Sequence, residues 1–125
     1  VACPKAYQPH QDVLAFAKTV TDAKFTLTDV PAEAARDADV IFTDVWASMG
    51  QEREKAERER AFVGYQVNDE LLSVAHGDCM VQHCLPAHRG EEITEAVFEA
   101  HAGEIFDEAE NRLHAQKAVM ALLMK

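Results

Sequence analysis

The sequence predicts an α/β domain in which helices cover both faces of a parallel sheet. Short apolar stretches of strand-forming residues alternate along the chain with segments whose apolar residues recur at helical spacing. Strands separated by helices pair in parallel, because parallel neighbours need a long crossover connection. The length of 125 residues is that of one ordinary domain and is enough for an independent hydrophobic core.

Short apolar runs with alternating or continuous hydrophobicity predict the strands. They are residues 1–3, 24–28, 40–43 and 79–83, with a remnant at 105–106. The first run looks like the end of a strand, which Pro4 terminates because proline has no amide hydrogen for a ladder. A chain that starts inside a strand also suggests a truncated product of a longer protein.

Apolar spacing, capping residues and charge patterns predict the helices. They are residues 12–20, 31–36, 51–60, 69–75, 95–100 and 111–124. The segment 51–60 is almost wholly charged and places Glu54 four residues before Arg58, the order that stabilises an exposed helix. The segment 111–124 carries more apolar residues than one helix face can bury.

Charge and cysteine content narrow the class of protein. A net charge of −10 disfavours nucleic acid and anionic membrane surfaces as the main partners. The apolar run at residues 119–124 is far short of the ~20 residues that a bilayer-spanning helix needs. The cysteines Cys3, Cys79 and Cys84 form no C-x-x-C pair. This pattern predicts neither disulfides nor a zinc finger and favours a reducing, cytoplasmic setting.

Polar clusters follow the predicted strands, and ligands bind beyond the carboxyl ends of strands in parallel α/β sheets. The clusters are residues 44–50, 83–90 and 110–112. Each also has a structural interpretation. Asp44 could cap a turn, and Gly50 could close a loop. Cys84 could be a small buried apolar residue, the commoner fate of a cysteine.

The histidines and the arginine of these clusters are equally ambiguous when taken singly. His83 and His88 could form hydrogen bonds at the surface, and no metal site is predicted. Arg112 could be an ordinary residue near the start of a helix, although a cation in a first turn is electrostatically unfavourable. That placement suggests that its charge serves another purpose.

Together, three motifs resemble those of the aspartate/ornithine carbamoyltransferase family, and of its ornithine carbamoyltransferases in particular. They are Asp44–Glu52, His83–Gly90 and Phe106–Arg112, in that order. The resemblance covers essentially the whole chain, and the Ser48-Met49-Gly50 triplet favours ornithine over aspartate, putrescine or acetylornithine. It implies a Rossmann-like fold that is incomplete at its amino-terminal strand.

The resemblance also implies an activity. Such an enzyme transfers the carbamoyl group of carbamoyl phosphate to the δ-amine of L-ornithine and releases L-citrulline and phosphate, a step of arginine metabolism. It needs no metal or organic cofactor. By resemblance, Asp44 would bind the α-amino group of ornithine, and the Ser48-Met49 loop would close over the amino acid.

Further residues would act on the reacting groups by the same resemblance. Cys84 and the Leu85 backbone would face the attacking amine and the carbamoyl group, and Arg112 would hold carbamoyl phosphate. The δ-amine has a lysine-like pKa, so making it neutral at pH 7 costs about 4–5 kcal/mol. Cys84 and Asp44, in a site that excludes water, could ease this proton loss as catalytic residues. Whether Cys84 accepts the proton or only orients the amine stays open.

Parts of the family pattern do not occur in the sequence, namely the Ser-Thr-Arg-Thr and His-Pro-x-Gln segments and the Gly-Asp-Gly-Asn-Asn turn. We therefore expect residues 1–125 to form most of the ornithine-binding domain, without the carbamoyl-phosphate-binding domain and inactive alone. The parent enzyme would be a homotrimer, and the isolated chain would self-associate through residues 111–124. The alternative is a non-catalytic binding or assembly module descended from the family.

Overall fold

The structure is a computed structural model that describes residues 1–20, 24–47, 50 and 52–124. The helices are α1 (Gln11–Ala17), α2 (Pro31–Ala35), α3 (Lys55–Ala61), α4 (Asp69–Leu72), α5 (Glu95–Ala100) and α6 (Ala102–Leu123), and the strands are β1 (Val40–Thr43) and β2 (Met80–His83). Short 3₁₀ turns cover Lys5–Tyr7 and Glu52–Glu54. No helix of the described residues is long and apolar enough to cross a membrane.

The two strands pair in parallel, as the sequence predicts. Val40 is opposite Met80 and Thr43 is opposite His83, so the carboxyl ends of β1 and β2 lie side by side. The predicted strands 40–43 and 79–83 are therefore confirmed to within one residue. The predicted strand 24–28 is reduced to an isolated parallel bridge between Thr28 and Ala2.

A cavity of about 770 Å³ separates this bridge from β1. Val1 and Ala2 line one side, and Val40 and Phe42 line the other. In the observed register, Val40 and Phe42 direct their backbone groups away from β2. The bridge to Thr28 uses the Cys3 amide and the Val1 carbonyl, so the amide and carbonyl of Ala2 itself point away from Thr28. The sheet is therefore incomplete, as expected.

The hydrophobic core lies between β2, α5 and α6. Its fully or nearly buried members are Val67, Val81, Ile93, Val97, Phe98 and Ile105. The predicted helix 95–100 is confirmed, and Thr94 caps it by accepting a hydrogen bond from the Val97 amide. This packing fixes the carboxyl end of β2, where the candidate site lies.

The charged segment that follows β1 forms α3, as predicted, but it is not a purely solvated face. Arg58 pairs with Glu54 at 3.0 Å, the predicted i,i+4 contact. Its guanidinium also lies 5.0 Å from the centre of the Tyr7 ring and donates to the Trp46 carbonyl. Such a cation–π contact stabilises by about 0.5–1 kcal/mol. Arg58 thus anchors α3 against the amino-terminal turn.

The last helix begins at Ala102, so the predicted strand remnant 105–106 and the predicted helix start at residue 111 are both wrong. Two contacts explain the difference. Ile105 is fully buried, and the Glu104 carboxylate accepts a hydrogen bond from the Val81 amide at 3.0 Å. These contacts pack the first turns of α6 against β2. Residues 105–106, an apolar pair with strand propensity, are helical because of this packing.

The second half of α6, from residue 110 onward, is exposed along its whole length. Its large apolar side chains are Leu113, Val119, Met120, Leu122, Leu123 and Met124. Contiguous exposed apolar surface of this kind drives association. We expect the chain to self-associate with rising concentration in light scattering, and a variant with Leu122→Lys and Leu123→Lys to do so less. A strictly monomeric wild-type chain at high concentration would contradict this expectation.

The cap of α4 offers a local stability test. The Asn68 side chain accepts a hydrogen bond from the Leu71 amide at 2.9 Å, which satisfies one free donor of the first turn. Asn68→Ala should lower the free energy of unfolding by about 1 kcal/mol, measured by urea denaturation. Asn68→Asp keeps the acceptor and should stay close to wild type. Equal losses in both variants would show that the cap is not the cause.

Candidate functional site

Two of the predicted site residues meet at the carboxyl end of the sheet. Asp44 directly follows β1 and Cys84 directly follows β2, and the parallel register places these positions next to each other. The Asp44 carboxylate lies close enough to the Cys84 thiol to favour the protonated form of the thiol. One donor atom each from Asp44, His83 and Cys84 lies within 4.8 Å of the others. The structure thus brings a carboxylate and a thiol into one small cluster.

The thiol of Cys84 is held in its protonated form. Partial burial of the sulfur and the neighbouring Asp44 carboxylate raise its pKa to about 11. A thiol with this pKa keeps its proton at pH 7 and is a poor nucleophile, since the thiolate is the reactive species. Cys84 is exposed, so the alternative interpretation as a small buried apolar residue does not hold.

Asp44 keeps part of its structural interpretation as well. Its Oδ1 accepts a hydrogen bond from the Val45 amide at 2.7 Å, which fixes the turn after β1. Asp44 is exposed and lines the cavity described above. A carboxylate that is anchored on one side and open on the other can bind a cationic ligand.

The histidine that ends β2 is fully buried, so the expectation of a surface hydrogen bond is wrong for His83. Its Nε2 lies 2.9 Å from Oε1 of Glu92, which is equally buried. Its Nδ1 accepts a hydrogen bond from the Leu85 amide at 3.0 Å. His88, by contrast, is exposed. His83 is therefore an internal tie between β2 and the loop that follows it.

Glu92 is ionised in this environment. Burial by itself raises the pKa of the Glu92 carboxyl, but hydrogen bonds from His83 and from the His88 and Glu92 amides outweigh burial and hold the pKa below its usual value. Its second oxygen, Oε2, is buried without a hydrogen-bond partner among the described residues. Glu92 is thus a buried carboxylate whose hydrogen bonds from His83 and His88 all reach one oxygen, Oε1.

The remaining predicted side chains belong to α6 or to residues that the structure does not describe. Arg112 lies in the exposed half of α6, and no hydrogen bond or ion pair involves it within the described part of the chain. It is a mid-helix residue, so the expectation of a first-turn arginine is wrong. Ser48 and Met49 lie outside the described residues. Gly50 has φ +89°, which a glycine adopts at no steric cost.

The carboxylate, thiol and imidazole of the cluster are all possible metal ligands, but their hydrogen bonds disfavour that use. Both ring nitrogens of His83 already have partners, and the Cys84 thiol is protonated. A second group brings His88, Glu91 and Glu92 together. There the Lys55 ammonium lies 2.8 Å from the Glu91 carboxylate and occupies the place of a cation.

Comparison with known proteins identifies the family. A sequence profile described as "Aspartate/ornithine carbamoyltransferase, Asp/Orn binding domain" matches residues 1–123. The chain belongs to the aspartate/ornithine carbamoyltransferase family. It is 58% identical over 125 residues to an ornithine carbamoyltransferase of Geobacter sulfurreducens and covers 41% of that relative.

Solved structures agree with the family assignment. The anabolic ornithine carbamoyltransferase of Campylobacter jejuni matches with a TM-score of 0.92 and 42% identity, over 98% of this chain and 41% of that one. The ornithine carbamoyltransferase of Pyrococcus furiosus matches with a TM-score of 0.89 and 50% identity, over 99% and 41% respectively. The chain therefore spans about two-fifths of the length of these relatives.

Sequence reasoning missed Glu92, the partner of His83. The residue stands in an acidic pair before Ile93, where a glutamate is ordinarily solvated. Neither helical nor strand periodicity assigns it an inward direction, because the segment is a turn. The available signal was indirect: a histidine at the end of an apolar strand needs a polar partner once it is buried.

Proposed function

We propose that this chain forms the ornithine-binding part of an ornithine carbamoyltransferase. The complete enzyme transfers the carbamoyl group of carbamoyl phosphate to the δ-amine of L-ornithine and releases L-citrulline and phosphate. The observation that carries the proposal is the proximity of Asp44 and Cys84 at the carboxyl end of two parallel strands. The names of the relatives support the same reaction.

In this proposal, Asp44 binds the α-amino group of ornithine, and Ser48 and Met49 close over the amino acid. A carboxylate pairs favourably with an ammonium group, and Asp44 is open to the cavity. Cys84 and the Leu85 backbone face the δ-amine and the carbamoyl group. The Cys84 thiol is protonated at pH 7 in the chain without ornithine. In this proposal it therefore orients the δ-amine and is not the base that accepts its proton.

Arg112 completes the proposed site by holding carbamoyl phosphate. A planar guanidinium matches the geometry of phosphate and stabilises the charge that develops on the leaving group. Arg112 is an exposed side chain with its guanidinium open to a ligand. The remainder of the phosphate site comes from a carbamoyl-phosphate-binding domain, and the assembled enzyme is a homotrimer in a reducing cytoplasm. The free thiols of Cys3, Cys79 and Cys84 are consistent with that compartment.

Complementation tests the proposal. The chain is mixed with the purified amino-terminal domain of the Geobacter sulfurreducens relative, and citrulline formation is measured. We expect citrulline from the mixture and none from either part alone. Calorimetry with norvaline, an ornithine analogue without the δ-amine, tests whether the ornithine half-site forms in the isolated chain. A folded chain that neither binds norvaline nor yields citrulline in the mixture would refute the proposal.

A further inference from the structure

The loop that carries Cys84 is held at both ends by one pair of buried side chains. His83 and Glu92 are each 0% exposed, and His83 Nε2 lies 2.9 Å from Glu92 Oε1. The Leu85 amide donates to His83 Nδ1 over 3.0 Å. The His88 amide donates to the same Glu92 oxygen over 2.6 Å. The pair therefore contacts the backbone just before and just after the exposed turn.

The hydrogen bonds fix the protonation of the pair. An amide N–H can only donate, so Nδ1 of His83 is the acceptor and the ring proton is on Nε2. Nε2 then donates to the Glu92 carboxylate. Both ring nitrogens are thus used inside the protein, and neither side chain reaches solvent. The pair acts through the position of the loop, because it has no access to a bound molecule.

The loop needs such a restraint. Leu85 has φ +55°, a left-handed backbone conformation that a leucine rarely adopts and that the surrounding structure must maintain. Its amide is the group that His83 holds, and its side chain packs against the core. Cys84 lies between these two fixed residues. The direction of its thiol towards Asp44 therefore follows from the restraint on both neighbours.

We propose that His83 and Glu92 are positioning residues that hold the Cys84 thiol against Asp44 and the Leu85 backbone towards the reacting groups. The identity of those reacting groups rests on the proposed function, whereas the restraint on the loop does not. Two charged groups face the thiol: Asp44, which follows β1, and Glu108, on α6. A loop released from the pair would carry the thiol away from both carboxylates and would increase its reactivity.

The experiment compares two substitutions of one residue. Glu92→Gln keeps an oxygen that can accept from His83 and His88, whereas Glu92→Leu removes it at similar size. The rate of Cys84 alkylation by iodoacetamide is measured from pH 7 to pH 11, with each cysteine quantified by peptide mass. Cys79 is buried and serves as the internal control, because only global unfolding exposes it.

We expect Glu92→Leu to alkylate at Cys84 about tenfold faster or more at pH 8, with the midpoint of its pH profile shifted down by about one unit. Glu92→Gln should stay within about twofold of wild type, and Cys79 should stay protected in both. An unchanged Cys84 profile in a folded Glu92→Leu variant would overturn the proposal. So would a Gln variant as reactive as the Leu variant.

A measurement on the wild-type chain keeps the proposal falsifiable if Glu92→Leu fails to fold. In ¹⁵N-histidine NMR spectra, the neutral His83 ring should carry its proton on Nε2 and none on Nδ1. A proton on Nδ1 of His83 would overturn the proposal. Neither experiment requires ornithine or carbamoyl phosphate, so a failed complementation with the expected alkylation pattern would refute the proposed function alone.

Discussion

Replacing Asp44 with asparagine is expected to weaken ornithine or norvaline binding by about 30-fold or more. The carboxylate would pair with the α-ammonium group, and removing one partner of such a hydrogen-bonded charge pair costs about 2 kcal/mol at least. The same variant should lower the pKa of Cys84 from about 11 towards its ordinary value of 9.0. The sign follows from charge, because a neutral amide no longer favours the protonated thiol.

Calorimetry measures the binding, and the pH dependence of Cys84 alkylation measures the pKa. Because burial of the sulfur remains in the variant, the rate at pH 8 should rise by about tenfold rather than reach the value of a free cysteine. Asp78→Asn is the matched control, since Asp78 is an exposed aspartate before β2. Normal ligand binding by Asp44→Asn would show that Asp44 does not bind the amino acid. An unchanged pH profile of Cys84 alkylation would show that Asp44 does not raise the pKa of the thiol.

Replacing Glu92 with alanine is expected to lower the free energy of unfolding by about 3–5 kcal/mol. The substitution leaves two donors, the buried Nε2–H of His83 and the His88 amide, without their acceptor, and each buried unsatisfied donor costs about 1–3 kcal/mol. A loss of this size is a large fraction of the 5–15 kcal/mol that stabilises a typical domain. The variant should therefore unfold at a clearly lower urea concentration than the wild-type chain.

The Glu92 carboxyl also makes the free energy of unfolding depend on pH, and the direction follows from its lowered pKa. The pKa of Glu92 is lower in the folded chain than its usual value, so its contribution to stability is fully present above the unfolded pKa of about 4.3. It is lost as the pH falls through the folded value. Urea denaturation at pH 7 and at pH 3 measures both effects, and the difference between wild type and Glu92→Ala should shrink at the lower pH.

Glu91→Ala is the matched control for this experiment. Glu91 is adjacent in sequence, but its ion pair with Lys55 is partly exposed. Such pairs contribute about 0–1 kcal/mol, so this variant should unfold almost like the wild-type chain. Comparable losses at positions 91 and 92 would show that Glu92 has no special structural role.

The two strands that place Asp44 and Cys84 were predictable from the sequence for a physical reason. Residues 40–43 and 79–83 are short apolar runs bounded by polar residues, and helices separate them, so parallel pairing is the favoured arrangement. That pairing alone puts the residues after each run at one edge of the sheet. The proximity of Asp44 and Cys84 is thus a consequence of pattern and topology.

The start of α6 and the partner of His83 could not be predicted in the same way. Ile105 and Phe106 are an apolar pair with strand propensity, and only their packing against β2 makes them helical. The burial of Glu92 depends on a turn that returns to the end of β2, a tertiary contact with no periodic signal. Arg112 is exposed on α6, four residues after Glu108, and its approach to Asp44 stays a prediction.

The open edge of β1 has a practical consequence for work with this chain. A strand with unpaired amide and carbonyl groups is a template on which other extended chains add, and natural edges are usually protected by charge or proline. Here the edge carries Val40 and Phe42, and Phe42 is 66% exposed. We therefore expect intermolecular sheets at this edge to compete with folding at high protein concentration, and dilution to raise the yield of refolded protein.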